Sequence, residues 1–408
     1  MNKLQRIFNR ALKDTSEALT HQLVRQKFDE AGVSLTDQQV TEIVEQLKEG
    51  QLTFKLKDNQ LNTSDFPAPP TKLQIQFKGD ELNEVFSQIP NIVEDTIEGF
   101  AEGTLRELKK TLPMNVAAIT NDRHAFEGRL WNRWKKPFEL FHLYLAVTNE
   151  AAAAFNKYHR TRAAKKNDLV FEVLMRLQAR GCQIALEVLT LLKAGLADGA
   201  HARWRSLHEV TCVAMFVKQH GQNVANKYLL HDLVQAYRSG MRYQEWNSAL
   251  RHRPLSKKTI STLERNFQIV KKKFGSSFVK EYGWAAAELG KGNPNFADIE
   301  KAVGLEKLRP YYRWASDNVH ANVRGTHLKL GLPGPAGVLL AGSSDAGLAD
   351  PGNGAAMSLL QLTITLLTSK PNIDTLVACT ILRRLEADIG IEFLKAHKAL
   401  VKRNPRNR

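Results

Sequence analysis

Apolar residues recur at three- and four-residue spacing along most of the chain, the pattern of helices with one buried face. In the first sixty residues Leu4, Ile7, Phe8 and Leu12 share such a face, and Thr36 is placed to cap the helix DQQVTEIVEQLKEG, which Gly50 ends. Strict alternation replaces this period in only two places, QLTFKL at 51–56 and LQIQF at 73–77, and predicts a short two-stranded ribbon. Between them DFPAPPTK at 65–72 holds Pro67, Pro69 and Pro70, which exclude helix and mark a linker. Helical spacing returns over 81–110 and stops at Pro113.

Beyond residue 129 the period of 3.6 persists almost to the end, in helices expected at 130–165, 168–196, 198–221, 222–245, 257–274, 278–289, around Asp298, 305–320, 355–367 and 372–400. GLPGPAGVLLAGSSDAGLADPGNG, at 331–354, is too rich in Gly and Pro for a packed helix and predicts a long loop. The expected architecture is all-α: a multi-helix bundle at 129–402 preceded by a small, mainly helical N-terminal module at 1–64. The linker at 65–72, a connecting region at 73–128 and a basic tail at 403–408 complete the chain.

Composition narrows the class. With 408 residues, 43% of them hydrophobic and 25% charged, the chain can build two or three cores. Its greasiest stretch, Leu359 to Leu367, is interrupted by Gln361, Thr363 and Thr365, far short of the roughly 20 apolar residues of a bilayer span. The N-terminus lacks the apolar core of a secretory signal, so a cytoplasmic protein is expected. Cys182, Cys212 and Cys379 are three in number and far apart, which leaves no disulfide framework and no thiolate zinc site. No cofactor and no metal is expected.

Charge adds the first functional hint. The formal net charge is +16, yet residues 1–115 carry 14 basic and 18 acidic side chains, leaving 44 basic and 24 acidic for the rest. A surplus of that size favours polyanions through counterion release. Its densest runs are Arg251, Arg253, Lys257 and Lys258 in RHRPLSKK, Lys271, Lys272 and Lys273, and the tail, with Tyr282 and Trp284 as aromatic neighbours. These are the expected nucleic-acid-binding residues, although runs of this length are commonly solvated faces.

Two Arg/His pairs could carry chemistry: Arg203 with His208 in ARWRSLHE, and Arg313 with His320 in YYRWASDNVH. An imidazole that titrates near neutrality can move a 2′-hydroxyl proton while a guanidinium stabilises charge on phosphorus, so the pairs suit metal-free RNA cleavage. Seven residues place Arg313 and His320 on one helical face, whereas Arg203 and His208 differ by about 140°. Composition alone supplies about two such matches, so the spacing has little weight by itself. The structural alternative pairs Arg205 with Glu209 at i,i+4 and lets His208 satisfy a carbonyl between packed helices. Should the two segments touch, His208 or Glu209 would meet Asp317 or His320 in one polar network.

LLKAGLADGAHARWRSLHEVTCVAMFV, with YLLHDLVQAYR and RWASDNVHANVRGTH after it, resembles the bacterial domain-of-unknown-function family 5677 over about residues 150–395. The family pattern corresponds here to Arg205 with Glu209 and to Ser316 with His320. This family is similar in helical build to HEPN proteins, many of which are ribonucleases of toxin–antitoxin, abortive-infection and CRISPR-linked defence systems. The resemblance implies a helical, homodimeric protein that cuts RNA at a composite site of His208, His320, Arg203, Arg205, Glu209, Arg313 and Ser316, with an antitoxin or defence partner. HEPN motifs place a polar residue directly after the Arg, whereas Trp204 and Trp314 stand there in this chain.

Two other classes compete with the ribonuclease reading. A helical protein that binds RNA or DNA without cutting it needs only the basic surface. An HD-type phosphohydrolase would bind a divalent ion through His208, His231, Asp232 and Asp317. LGKGNPN at 289–295 has glycines but no preceding strand, and reads as a turn.

Overall fold

The computed structural model describes residues 2–48, 75, 87, 89–321, 323–332 and 339–403. The linker at 65–72, the first half of the expected ribbon and the tail beyond 403 lie outside them; of 73–77 only Ile75 is described, and it packs on the core of the first unit. Among the described residues the regular structure is helical and no strand occurs, as the period of 3.6 predicts. No helix among them is long and apolar enough to cross a membrane. The chain divides into two compact units, Met1–Thr120 and Asn121–Arg408.

The first unit contains α1 (Asn2–Glu30), α2 (Asp37–Lys48) and α3 (Ile89–Lys110). Thr36 caps α2 reciprocally: the Gln39 N–H donates to Thr36 Oγ1 at 3.3 Å and the Thr36 N–H to Gln39 Oε1 at 2.8 Å. Val24, Phe28, Val33, Val40, Ile43 and Val44 bury against one another as its core.

The second unit is built around one helix. Its elements are α4 (Leu112–Lys165, which starts before the unit boundary), α5 (Leu169–Lys193), α6 (Ala197–Leu230), α7 (Asp232–Trp246), α8 (Lys257–Phe274), α9 (Phe296–Ala302), α10 (Arg309–Asp317), α11 (Val323–His327), α12 (Ala349–Leu367) and α13 (Ile373–Arg403). Helix α6 packs against α5, α12, α10 and α9, which makes it the axis of the core. Polar cross-links accompany the apolar contacts: Gln178 Nε2 donates to Thr363 Oγ1 at 3.0 Å, Trp204 Nε1 to Ser358 Oγ at 3.0 Å and Thr211 Oγ1 to the Ser358 carbonyl at 3.0 Å. Each removes an unmet donor from a dry helix crossing.

Local sequence explains most boundaries. Asp168 caps α5 by accepting from the Phe171 N–H at 2.9 Å, and Gly221 (φ 74°, ψ −154°) interrupts α6 where two separate helices were expected. A left-handed residue there needs glycine.

Four expectations change. Helix α4 starts at Leu112, eighteen residues before the expected 130, because Pro113 falls in its first turn, where no N–H is needed. Helix α12 begins at Ala349, so the Gly/Pro-rich stretch is a loop only in part: Pro351 falls in the first turn, whose N–H groups lack helical acceptors. Gly352 seats against the Phe393 ring and Gly354 against Trp204. Over 278–289 a 3₁₀ turn at Gly283–Ala285 replaces a helix. The helix expected at 305–320 is a 3₁₀ turn, Glu306–Leu308, followed by α10, which ends at Asp317 and leaves His320 outside it.

Candidate functional site

On α6, His208 faces α9 while Arg205 and Glu209 face α10. His208 is fully buried, and its Nε2 lies 2.8 Å from Glu300 Oε1 on α9, itself fully buried. Arg309, at the start of α10, completes the link with Nη2 2.5 Å from Glu300 Oε2. Phe296 and Tyr312 close the group: Arg309 stacks over both rings at 5.3 and 5.0 Å, and His208 meets the Phe296 ring edge-on at 5.9 Å. A buried charge paired in this way is costly to disturb, because removing one partner strands the other in a medium that solvates it poorly.

One turn away Arg205 and Glu209 form the expected i,i+4 pair at 3.2 Å. The Tyr312 hydroxyl donates to Glu209 Oε1 at 2.5 Å, and Arg205 stacks over the Tyr312 ring at 4.8 Å. Burial, then the Glu209 carboxylate, pushes the Tyr312 phenol well above its usual range. Tyr312 is therefore a donor held neutral.

The remaining candidates go elsewhere. Arg203 pairs with Glu187 on α5. Ser316 Oγ donates to the Tyr312 carbonyl at 2.8 Å within α10. Arg313 and His320 are exposed, and α10 ends between them, so the single helical face assumed for this pair does not form. His208 has Glu300, not His320, as its partner. His231 faces the Lys280 carbonyl at 2.8 Å and Asp317 pairs with Arg324 at 3.7 Å; among the described residues no three His, Cys, Asp or Glu side chains are grouped to hold a metal ion. The sequence reading missed Glu300, Arg309 and Tyr312, since no spacing rule joins them to α6. A fully buried Glu in a short helix was the only signal, and burial cannot be read from an isolated charged residue.

His201 stacks on Trp204 at 5.3 Å and lines a cavity of about 130 Å³ with Tyr311, Asp350, Asn353 and Met357. Burial holds its imidazole down to about 4, so it is neutral at ordinary pH. The space is well below the several hundred Å³ of small-molecule sites.

The basic runs present a different picture. Helices α7 and α8 pack as a hairpin. Residues 232–280 hold 11 Lys and Arg against 3 Asp and Glu. Arg251, Arg253, Lys257, Lys258, Lys271, Lys272 and Lys273 are all exposed, as are Arg242 and Arg265, and none makes an ion pair with a described residue. Lys258, Arg265 and Lys272 recur every seven residues on α8, opposite the side that buries Val270, and so form one outward row about 10 Å apart. At the hairpin end Trp246 is 57% exposed, and the Tyr243 hydroxyl fixes the loop by donating to the Arg253 carbonyl at 2.8 Å. Trp284, expected beside this surface, is instead buried against Phe216 and Tyr228.

No curated protein and no solved structure matches the chain. Residues 171–334, which include α6, the hairpin and α10, match the model of a family of unknown function (DUF5677).

Proposed function

We propose that the chain binds nucleic acid through the α7–α8 hairpin. The observation that carries this reading is the set of nine exposed cations, Arg242 to Lys273, without a carboxylate partner among the described residues. Cations that are not needed to hold the protein together remain available to phosphates, and their counterions are released on binding. Trp246 beside Arg242 adds a face on which an unpaired base stacks. The ribonuclease reading draws less support, because His208 is enclosed and engaged with Glu300 while His320 lies on the surface. Proton transfer requires a reactive hydroxyl within hydrogen-bond reach, directly or through one water.

The test is fluorescence anisotropy with labelled single-stranded RNA and duplex DNA in EDTA, with the RNA recovered and run on a denaturing gel. Binding by the wild type, lost in Arg251→Glu/Arg253→Glu/Lys257→Glu with the RNA intact, is the expected result. Unchanged affinity in that variant overturns the hairpin assignment, and EDTA-resistant cleavage restores the nuclease reading.

A further inference from the structure

We infer that α3 is a self-association surface on which a second copy of this chain packs antiparallel. The helix carries its apolar residues on one side: at 100° per residue Ile97, Phe100, Ala101, Leu105 and Leu108 fall within an arc of about 140°. Yet Ile97 is 56% exposed, Leu105 50% and Leu108 54%, and Leu112, the first residue of α4 just beyond, 55%. Residues 97–110 are exposed throughout. Two interior glycines, Gly99 and Gly103, weaken the intrinsic helicity of the segment. A helix of this kind draws its stability from packing of its apolar side, and among the described residues of one copy nothing covers that side from Ile97 onward.

Charge selects both the partner and its direction. Glu94, Asp95, Glu98 and Glu102 all precede Thr104 in α3, while Arg106, Lys109 and Lys110 follow it with Glu107 as the one acid. Two copies side by side in the same direction would set four carboxylates against four. Reversed, each acidic part meets a basic part. The apolar positions agree with the same register: with the axis between Thr104 and Leu105, Ile97 faces Leu112 and Ala101 faces Leu108 of the second copy. Glu98, Glu102 and Lys109 lie within about 40° of one another on one flank of the stripe, and in an antiparallel pair that flank meets itself. In that register Glu98 lies about 3 Å along the axis from Lys109 of the second copy, on the same side of the seam and within reach of its long side chain.

Sedimentation velocity on the full chain over a range of concentrations tests this. The expected species has twice the 45.9 kDa mass of one chain. Leu108→Glu returns it to the monomer; the position is exposed, so the fold is not at risk, and an unchanged far-UV spectrum verifies that. Glu98→Lys weakens association about tenfold, and adding Lys109→Glu restores it. In a parallel pair these residues would be about 16 Å apart along the axis and the second change could not compensate. A monomer at every concentration, a dimer indifferent to Leu108→Glu, or failure of the second swap to rescue the first overturns the inference.

Discussion

Replacing Lys258, Arg265 and Lys272 together by alanine removes the row of charge on α8 and leaves the hairpin packing untouched, since all three are exposed. Each phosphate neutralised on duplex DNA contributes about 0.9 to the slope of log affinity against log salt. If five of the nine hairpin cations reach phosphates, the wild type has a slope of about −4.5 and loses about 500-fold in affinity between roughly 50 and 200 mM salt. The triple variant should have a slope of about −1.8 and lose only about tenfold over the same interval. With equal affinity extrapolated to 1 M, it binds about 500-fold more weakly than wild type at roughly 100 mM. Anisotropy titrations in a KCl series give both slopes, and thermal melts monitor the fold. A wild-type slope shallower than about −2, or one that the triple variant shares, refutes the reasoning, because binding would not then be carried by this row.

The core makes separate predictions. Glu300→Ala should destabilise the second unit by about 3–5 kcal/mol in urea titrations, since it strands Arg309 and leaves His208 without its partner; a loss under about 1 kcal/mol would mean the link is not dry. For His201, depressed by burial from 6.5 to about 4, the unfolded chain takes up a proton that the folded one refuses. Its contribution is complete above pH 6.5 and declines as pH falls toward 4, by about 3 kcal/mol in all. Urea midpoints between pH 7.5 and pH 4.5 for wild type and His201→Phe isolate this, because the difference between the two proteins should narrow as pH falls. Trp246→Ala should weaken single-stranded RNA binding by about 1–3 kcal/mol and duplex binding far less, the mark of lost base stacking. Gly283→Ala would set a methyl 2.2 Å from the Phe278 carbonyl oxygen, so a lower melting temperature is expected, with the 3₁₀ turn displaced.

The helical class was legible because it rests on periodicity, and periodicity records which side of an element is buried. Caps were legible where the signal is local: Thr36 and Asp168 bond within three residues. The start of α12 was not, because Pro351, Gly352 and Gly354 look like loop residues until Phe393 and Trp204 are seen to need the room. The cations of the hairpin could be picked out as runs, yet only the packing of α7 on α8 puts them on one piece of surface. The α6 cluster was half visible. Arg205 with Glu209 follows from spacing, whereas the partner of His208 is 92 residues away and no pattern in the chain announces it.

The bond between His208 and Glu300 ties two stretches of chain that are otherwise joined by a long excursion through the hairpin. Unzipping α9 from α6 would leave a buried polar group without its partner on each side at the same instant, so neither edge can fray by degrees. Amide protons in α9, α10 and the middle of α6 should therefore exchange with solvent as a single block, at the rate of the rarest opening, while the tip of the hairpin exchanges freely.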